Sequence, residues 1–242
     1  MAAISAQTLF QFVRELETIE KILSSKGFWP KFCLEYGWSK RFAVPECCFC
    51  DTPFSAIHHH MEVYGNYGIG MSKQWGIQKG LSPLMYHLKE SKMSKNLRKL
   101  LQNAKTQKNE EVIYRQLVLM KQYQAVNYHK DEGGKLKQLK NYLYYDEREW
   151  RYIPDLPNYK DLLRFVENQS ELDVLKKRGL DDSTKPFMCT FTAHDVKYLI
   201  VKDDLDRILL ASSIDKMGSW NENDKELLKS KIIINELINN DL

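Results

Sequence analysis

Apolar positions along this chain repeat at two periods, and the switches between them mark out its elements. Thr8 to Val13, TLFQFV, is a short run of strand-forming residues, after which Leu16, Ile19, Ile22 and Leu23 recur at helical steps. Ser24 to Gly27 closes that helix, with Gly27 as a left-handed cap, and an extended segment runs from Phe32 to Tyr36. Val44 to Asp51, VPECCFCD, reads as a central strand, turned by Thr52-Pro53 and followed by a helix through Met61 with Ser55 as its cap. A strand from Tyr67 to Met71 comes next, in which Gly68 and Gly70 let a backbone or a flat ligand approach closely. Ser72 opens a helical turn through Trp75, and Pro83 to Leu88 reads as a short strand.

Residues 89–140 change character. Their apolar residues fall at helical intervals: Met93, Leu97, Leu100 and Leu101, then Val112, Ile113, Leu117, Met120 and Tyr123. Two helices are predicted there, the second capped by Asn109, with a turn at Asp131 to Lys135. The stretch also holds the concentrated positive charge of the chain, in Lys92, Lys95, Arg98, Lys99, Lys105 and Lys108, which marks it as a candidate surface for a partner or for nucleic acid. Tyr159 to Val166 and Glu171 to Arg178 read as helices, the second closed by Gly179. Pro186 to Thr192 and Tyr198 to Val201 read as strands, Asp203 to Leu210 as a helix, and Lys229 to Leu237 fits either period. The sum is one α+β domain over residues 1–242, with a basic helical insertion at about 89–140.

The densest chemistry lies at Leu143 to Pro154, LYYDEREWRYIP. Read as a strand stopped by Pro154 and Pro157, it puts Glu147, Glu149 and Arg151 on one face. Two carboxylates so close need cationic or ligand partners, or one of them gains a proton. With 43% hydrophobic and 28% charged residues among 242, the chain can bury a core, and a net charge of +4 makes any basic footprint local. Five cysteines, three of them in Cys47, Cys48 and Cys50, do not form an even disulfide framework and suit a reducing cytoplasm. Cys47-x-x-Cys50 beside His58, His59 and His60 raises the question of zinc, but on a strand Cys47 faces away from Cys48 and Cys50, so no metal site is expected. MAAISAQTLFQF has neither a basic start nor a long apolar run, and no later window could cross a membrane, so a cytoplasmic protein is expected.

Taken together, PECCFCDTPFS, YGNYGIGMSKQWGI and YYDEREWRYIP, in that order over nearly the whole length, resemble the bacterial AbiGi family of abortive-infection, phage-resistance proteins, which are described as antitoxins. The opening LFQFV, the helix with L-x-x-I-x-x-I-L and the following GFWP look like the start of the ADP-ribosyltransferase-like fold, as in DarT toxins and tRNA 2′-phosphotransferases. That resemblance implies a split, largely antiparallel sheet with NAD in its cleft. Glu149 would steady the cationic sugar as nicotinamide leaves, and Glu147 would guide the acceptor. Gln11, Tyr64, Tyr67 and Arg151 would hold the cofactor, and Gln11, Tyr67 and Glu149 should meet in one cleft. The first strand departs from the His-x-Thr of such enzymes, carrying Gln11 and Val13, and valine cannot grip a ribose. Two function classes follow: an NAD-dependent transferase effector, or a non-catalytic antitoxin or sensor. Either would act with a toxin or antitoxin encoded nearby, a phage component or nucleic acid, through Lys95, Arg98, Lys99 and Lys105.

Overall fold

The computed structural model describes residues 6–37, 40–103, 107–130 and 136–235. It opens with strand β1 (Thr8–Val13) and helix α1 (Leu16–Ser25), which buries Ile19 and Leu23. Lys26, not Gly27, takes the left-handed conformation that ends α1, at φ 53°. Gly27 instead begins β2 (Gly27–Phe28), where an added Cβ would lie 3.2 Å from Met188 Cε, so its service is close packing. β3 (Lys31–Gly37) pairs antiparallel with the long β4 (Lys40–Cys50). α2 (Ile57–Tyr64) follows a single 3-10 turn, and Ala56 rather than Ser55 stands at its N-cap. β5 (Tyr67–Ser72) runs into α3 (Lys73–Gln78), whose start is fixed by Ser72 Oγ accepting from the Trp75 amide.

After β6 (Ser82–Pro83) and β7 (Met85–His87) come the two expected helices, α4 (Lys92–Asn103) and α5 (Gln107–Leu117). Asn109 lies inside α5, so it does not cap it. The helical spacing that runs on through Met120 and Tyr123 is misleading. The chain leaves α5 at Leu117 and forms β8 (Met120–Gln122), then a hairpin of β9 (Gln124–Lys130) and β10 (Leu136–Leu143). The expected turn at residues 131–135 lies outside the described residues. Nor is Leu143 to Pro154 one strand. Tyr144–Glu147 form a 3-10 turn, Arg148 is left-handed at φ 45°, and only β11 (Glu149–Tyr152) is extended. Residues expected to form a helix at Tyr159 to Val166 divide into a 3-10 turn and β12 (Arg164–Val166), before α6 (Gln169–Lys177) and Gly179 at φ 89°. The strand expected at Pro186 to Thr192 shrinks to β13 (Cys189–Thr190). The chain finishes with β14 (Val196–Val201), α7 (Asp204–Lys216), α8 (Glu222–Lys229) and β15 (Ile232–Ile234).

The result is an α+β protein built on a mixed sheet in the order β15-β14-β5-β1-β4-β11-β6, with β3 and β12 also on β4. Its pairings are antiparallel except β14 with β15. Because facing residues in a ladder share a face, register alone sorts the side chains. Gln11 faces Ile69 and Val13 faces Tyr67, so Leu9, Gln11, Val13, Tyr67, Ile69 and Met71 point one way. That face packs against α1, α3, α7 and α8 in a core that includes Ile19, Leu23, Trp75, Leu210, Ile214 and Leu228. Phe10 faces Cys50, and Cys50 faces Glu149, so Phe10, Phe12, Cys48, Cys50, Glu149 and Arg151 point the other way. Near β1 and β5 that second face is covered by Ile57 and Met61 of α2.

Candidate functional site

A buried ionic cluster occupies the second face, where β11 crosses the end of β4. Glu149 and Arg151 lie two residues apart on β11 and so project together, and Arg151 Nε donates to Glu149 Oε1 at 2.6 Å. The Arg151 guanidinium also reaches Glu35 of β3 at 2.8 Å and the Val118 carbonyl at 3.0 Å. It lies 3.0 Å from Glu46 Oε2, out of line for a hydrogen bond, and that oxygen has no hydrogen-bond partner among the described residues. Lys121 of β8 bridges the two glutamates singled out in the sequence, at 3.1 Å from Glu147 Oε2 and 2.5 Å from Glu149 Oε2. Tyr64 at the end of α2 donates to Glu147 Oε1, and the Glu149 amide donates to Tyr86 Oη at 2.8 Å.

Four carboxylates, Glu35, Glu46, Glu147 and Glu149, thus surround two cations, Lys121 and Arg151. The excess negative charge is reduced, though not cancelled, by proton uptake at one site. Burial pushes the Glu46 carboxyl up to about 8 even against the pull of Arg151. Burial alone would raise Glu149 as well, but Arg151 and Lys121 hold it at about 2. Burial works against a charged Lys121, and Glu147 and Glu149 more than reverse it, so its amine stays protonated well above the ordinary range. The Cys48 thiol is raised by burial and then by Glu149, which makes it a poor nucleophile. A ligand atom each from Glu46, Cys48 and Glu149 lies within 4.8 Å of the others. Two of these three groups, Glu46 and Glu149, already carry the guanidinium of Arg151 as their cation, at 3.0 Å and 2.6 Å.

The other expected site residues lie elsewhere. Gln11, on the opposite face, donates from Nε2 to the Cys48 carbonyl at 3.2 Å and bridges β1 to β4 where the two share a single register partner. Tyr67, on that same opposite face, donates to Asp206 Oδ2 at 2.8 Å. The expected meeting of Gln11, Tyr67 and Glu149 in one cleft therefore does not occur, because the sheet stands between them. The cofactor-holding set is split the same way, with Tyr64 and Arg151 on one face and Gln11 and Tyr67 on the other, so these residues do not fit NAD as one site. Of the basic residues, Lys95 and Lys99 are exposed on α4 beside Lys92, and Arg98 lies on the same helix. Lys105 is outside the described residues.

Sequence reading missed Lys121, Glu35 and Glu46. Each is a single charge inside an apolar run, in VLMK, FCLE and VPEC, and a charge in such a setting is a signal for a buried partner. The five cysteines, Cys33, Cys47, Cys48, Cys50 and Cys189, are free thiols. No helix among the described residues is long and apolar enough to cross a membrane.

Comparison with known proteins gives two matches. A family model described as "putative abortive phage resistance protein AbiGi, antitoxin" matches residues 28–202, a span that includes all six charged members of the cluster. The abortive phage resistance protein AbiGi of Lactococcus lactis subsp. cremoris is 27% identical over 228 residues, covering 84% of this chain and 90% of the relative. No solved structure matches. On this footing the chain belongs to the AbiGi family of abortive phage resistance proteins.

Proposed function

We propose that this protein works in the cytoplasm as a non-catalytic antitoxin in phage defence, restraining a toxin encoded nearby by binding it. One observation carries the reading: Glu147 and Glu149, the carboxylates a transferase would use, are spent on Lys121, Arg151 and Tyr64, across the sheet from Gln11. A carboxylate that already neutralises two buried cations has little field left for an oxocarbenium ion. On this reading an ADP-ribosyltransferase-like sheet has been kept as a scaffold while its hold on NAD has been lost. The binding surface is the exposed basic face of α4, where Lys92, Lys95 and Lys99 follow one another at helical spacing, and it suits an acidic protein surface.

The test is expression with and without the neighbouring genes. Expressed alone, the chain should leave growth unchanged, and it should protect cells against a toxic neighbour. Lys95→Glu with Lys99→Glu should abolish protection while leaving the fold intact, since both side chains are exposed. Toxicity of the chain alone, or transfer of label from NAD to an acceptor that Glu149→Gln stops in a folded variant, would replace this reading with that of a transferase effector.

A further inference from the structure

Where β7 hands over to α4, two aliphatic side chains stand in solvent beside the lysines of that helix. Leu88, the residue after β7, is 62% exposed, and Met93, in the first turn of α4, is 45% exposed. The backbone that carries them is firmly held. The Ser91 amide donates to the Leu88 carbonyl at 3.0 Å, and Ser94 Oγ donates to the same carbonyl at 2.9 Å. Ser94 Oγ also lies 2.6 Å from His87 Nδ1, and both of these residues are buried. The amide of Tyr123, just past β8, donates to the His87 carbonyl at 2.9 Å. The first turn of α4 is thus pinned to the β7–β8 pair, and a surface fixed in advance loses little freedom when a partner binds it.

The charge of this turn is largely uncompensated. Residues 88–99 hold five cations, Lys89, Lys92, Lys95, Arg98 and Lys99, against one carboxylate, Glu90. Glu90 lies 3.7 Å from Lys95 with both side chains mostly exposed, so it offsets little. No carboxylate among the described residues lies within ion-pair distance of Lys89, Lys92 or Lys99. On an α-helix Lys92, Lys95 and Lys99 span about 60° of the surface, and Met93 stands about 100° from Lys92. The exposed side of α4 is therefore a basic stripe with an aliphatic edge at its beginning.

We propose, resting on the antitoxin reading above, that the toxin meets this turn with an apolar hollow rimmed by carboxylates, Leu88 and Met93 entering the hollow and the lysines facing the rim. Other occupants leave one half of the surface unused. A second copy of this chain would set lysine stripe against lysine stripe, and like charges across an interface repel. A nucleic-acid duplex would take the lysines through its phosphates and give the two aliphatic side chains nothing to bury against. A single strand is held on aromatic faces, and α4, KMSKNLRKLLQN, has none. The two halves of the contact act on different rates. Charges at a rim speed the encounter, whereas an apolar centre, once dry, slows the departure.

The test is the binding kinetics of the purified full chain on the immobilised product of the neighbouring toxic gene, at about 0.05 M and about 0.5 M NaCl. Lys92→Gln with Lys99→Gln should slow association about tenfold at the lower salt and far less at the higher. Leu88→Ser with Met93→Ser should speed dissociation at least about tenfold at both. All four side chains are exposed, so both variants should melt with the parent. Binding that the serine pair leaves unchanged while the glutamine pair weakens it overturns this inference and leaves the antitoxin reading standing. No binding by the unaltered chain overturns both. Retention of labelled RNA or DNA at about 0.15 M salt, lost with the glutamine pair and kept with the serine pair, overturns it in favour of a nucleic-acid surface.

Discussion

Replacing Lys121 by methionine keeps the length and the apolar stem of the side chain and removes only the charge that bridges Glu147 and Glu149. The Lys121 side chain is 13% exposed and its ammonium lies 3.1 Å and 2.5 Å from those two carboxylates, so little solvent can take its place. Arg151 would still hold Glu149 Oε1, and Tyr64 would still hold Glu147, but two buried carboxylates would be left facing each other. Removing one member of a buried charge pair costs about 3–5 kcal/mol, mostly from the uncompensated charge that remains. For a chain of 242 residues, each kcal/mol moves the melting temperature by roughly 2–4 °C, so Lys121→Met should melt about 6–20 °C lower. Circular dichroism melts and urea titrations at pH 7 would measure this. The deficit should shrink as the pH falls through the ordinary carboxylate range, because the stranded groups can then take up protons. A loss under about 1 kcal/mol at pH 7 would show that solvent or a rearranged tyrosine replaces the ammonium, and the cluster would no longer count as a structural keystone.

Glu46 gives a pH signature of opposite sign to that of Glu149. Its folded value near 8 lies above the ordinary 4.5, so the folded state holds a proton that the unfolded chain has lost; this stabilisation is full at low pH and disappears as pH rises toward 8. Glu46→Gln should therefore match the parent near pH 5 and outlast it at pH 9, and a difference that is flat with pH would rule this out. Glu149, held at about 2, stabilises the fold above its ordinary range and loses that contribution as pH falls from 4.5 toward 2, so Glu149→Gln should flatten the acid limb of the stability curve. Gly65→Ala should cost more than about 2 kcal/mol in urea unfolding, since φ is +128° and the new Cβ would sit 2.3 Å from the Val13 carbonyl oxygen. Asp203→Ala removes the acceptor for the Asp206 amide at the start of α7 and should cost about 1 kcal/mol, read in the same titration.

The elements that could be read in the sequence are those whose pattern stops where the element stops. β1 and β14 are short apolar runs buried on both faces, β5 is buried through its middle, and α1 keeps one apolar stripe, with nothing at their ends to extend the pattern. β8 was hidden because Met120 and Tyr123 fall in step with Val112 and Leu117, although the chain turns out of helix at Val118. The grouping of Glu147, Glu149 and Arg151 was legible from alternate spacing, yet Glu147 joins from a turn made possible by the left-handed Arg148 rather than from a strand. What spacing could not provide was the partner set. Glu35, Glu46 and Lys121 come from three other strands, and their convergence depends on β4 accepting β3 and β11 along its length. The face of Gln11 relative to Glu149 was also beyond reach, because it follows from Phe10 meeting Cys50 in register, a long-range pairing that no local pattern encodes.

Arg151 ties together four places that are far apart along the chain: Glu35, Glu46, the Val118 carbonyl and Glu149. Until all four have arrived, its guanidinium is either still hydrated or buried without compensation, and the second condition is too costly to populate. Partial openings of this half of the sheet are therefore penalised, and the region separates from the rest all at once or stays closed. Backbone amides of Glu149–Tyr152 should then exchange with deuterated solvent only through complete unfolding, while the amides of α4, which contributes no side chain to that knot, exchange through small local openings. A single arginine in this way couples the opening of these strands, and a region that does not open in part offers proteases few cleavable segments.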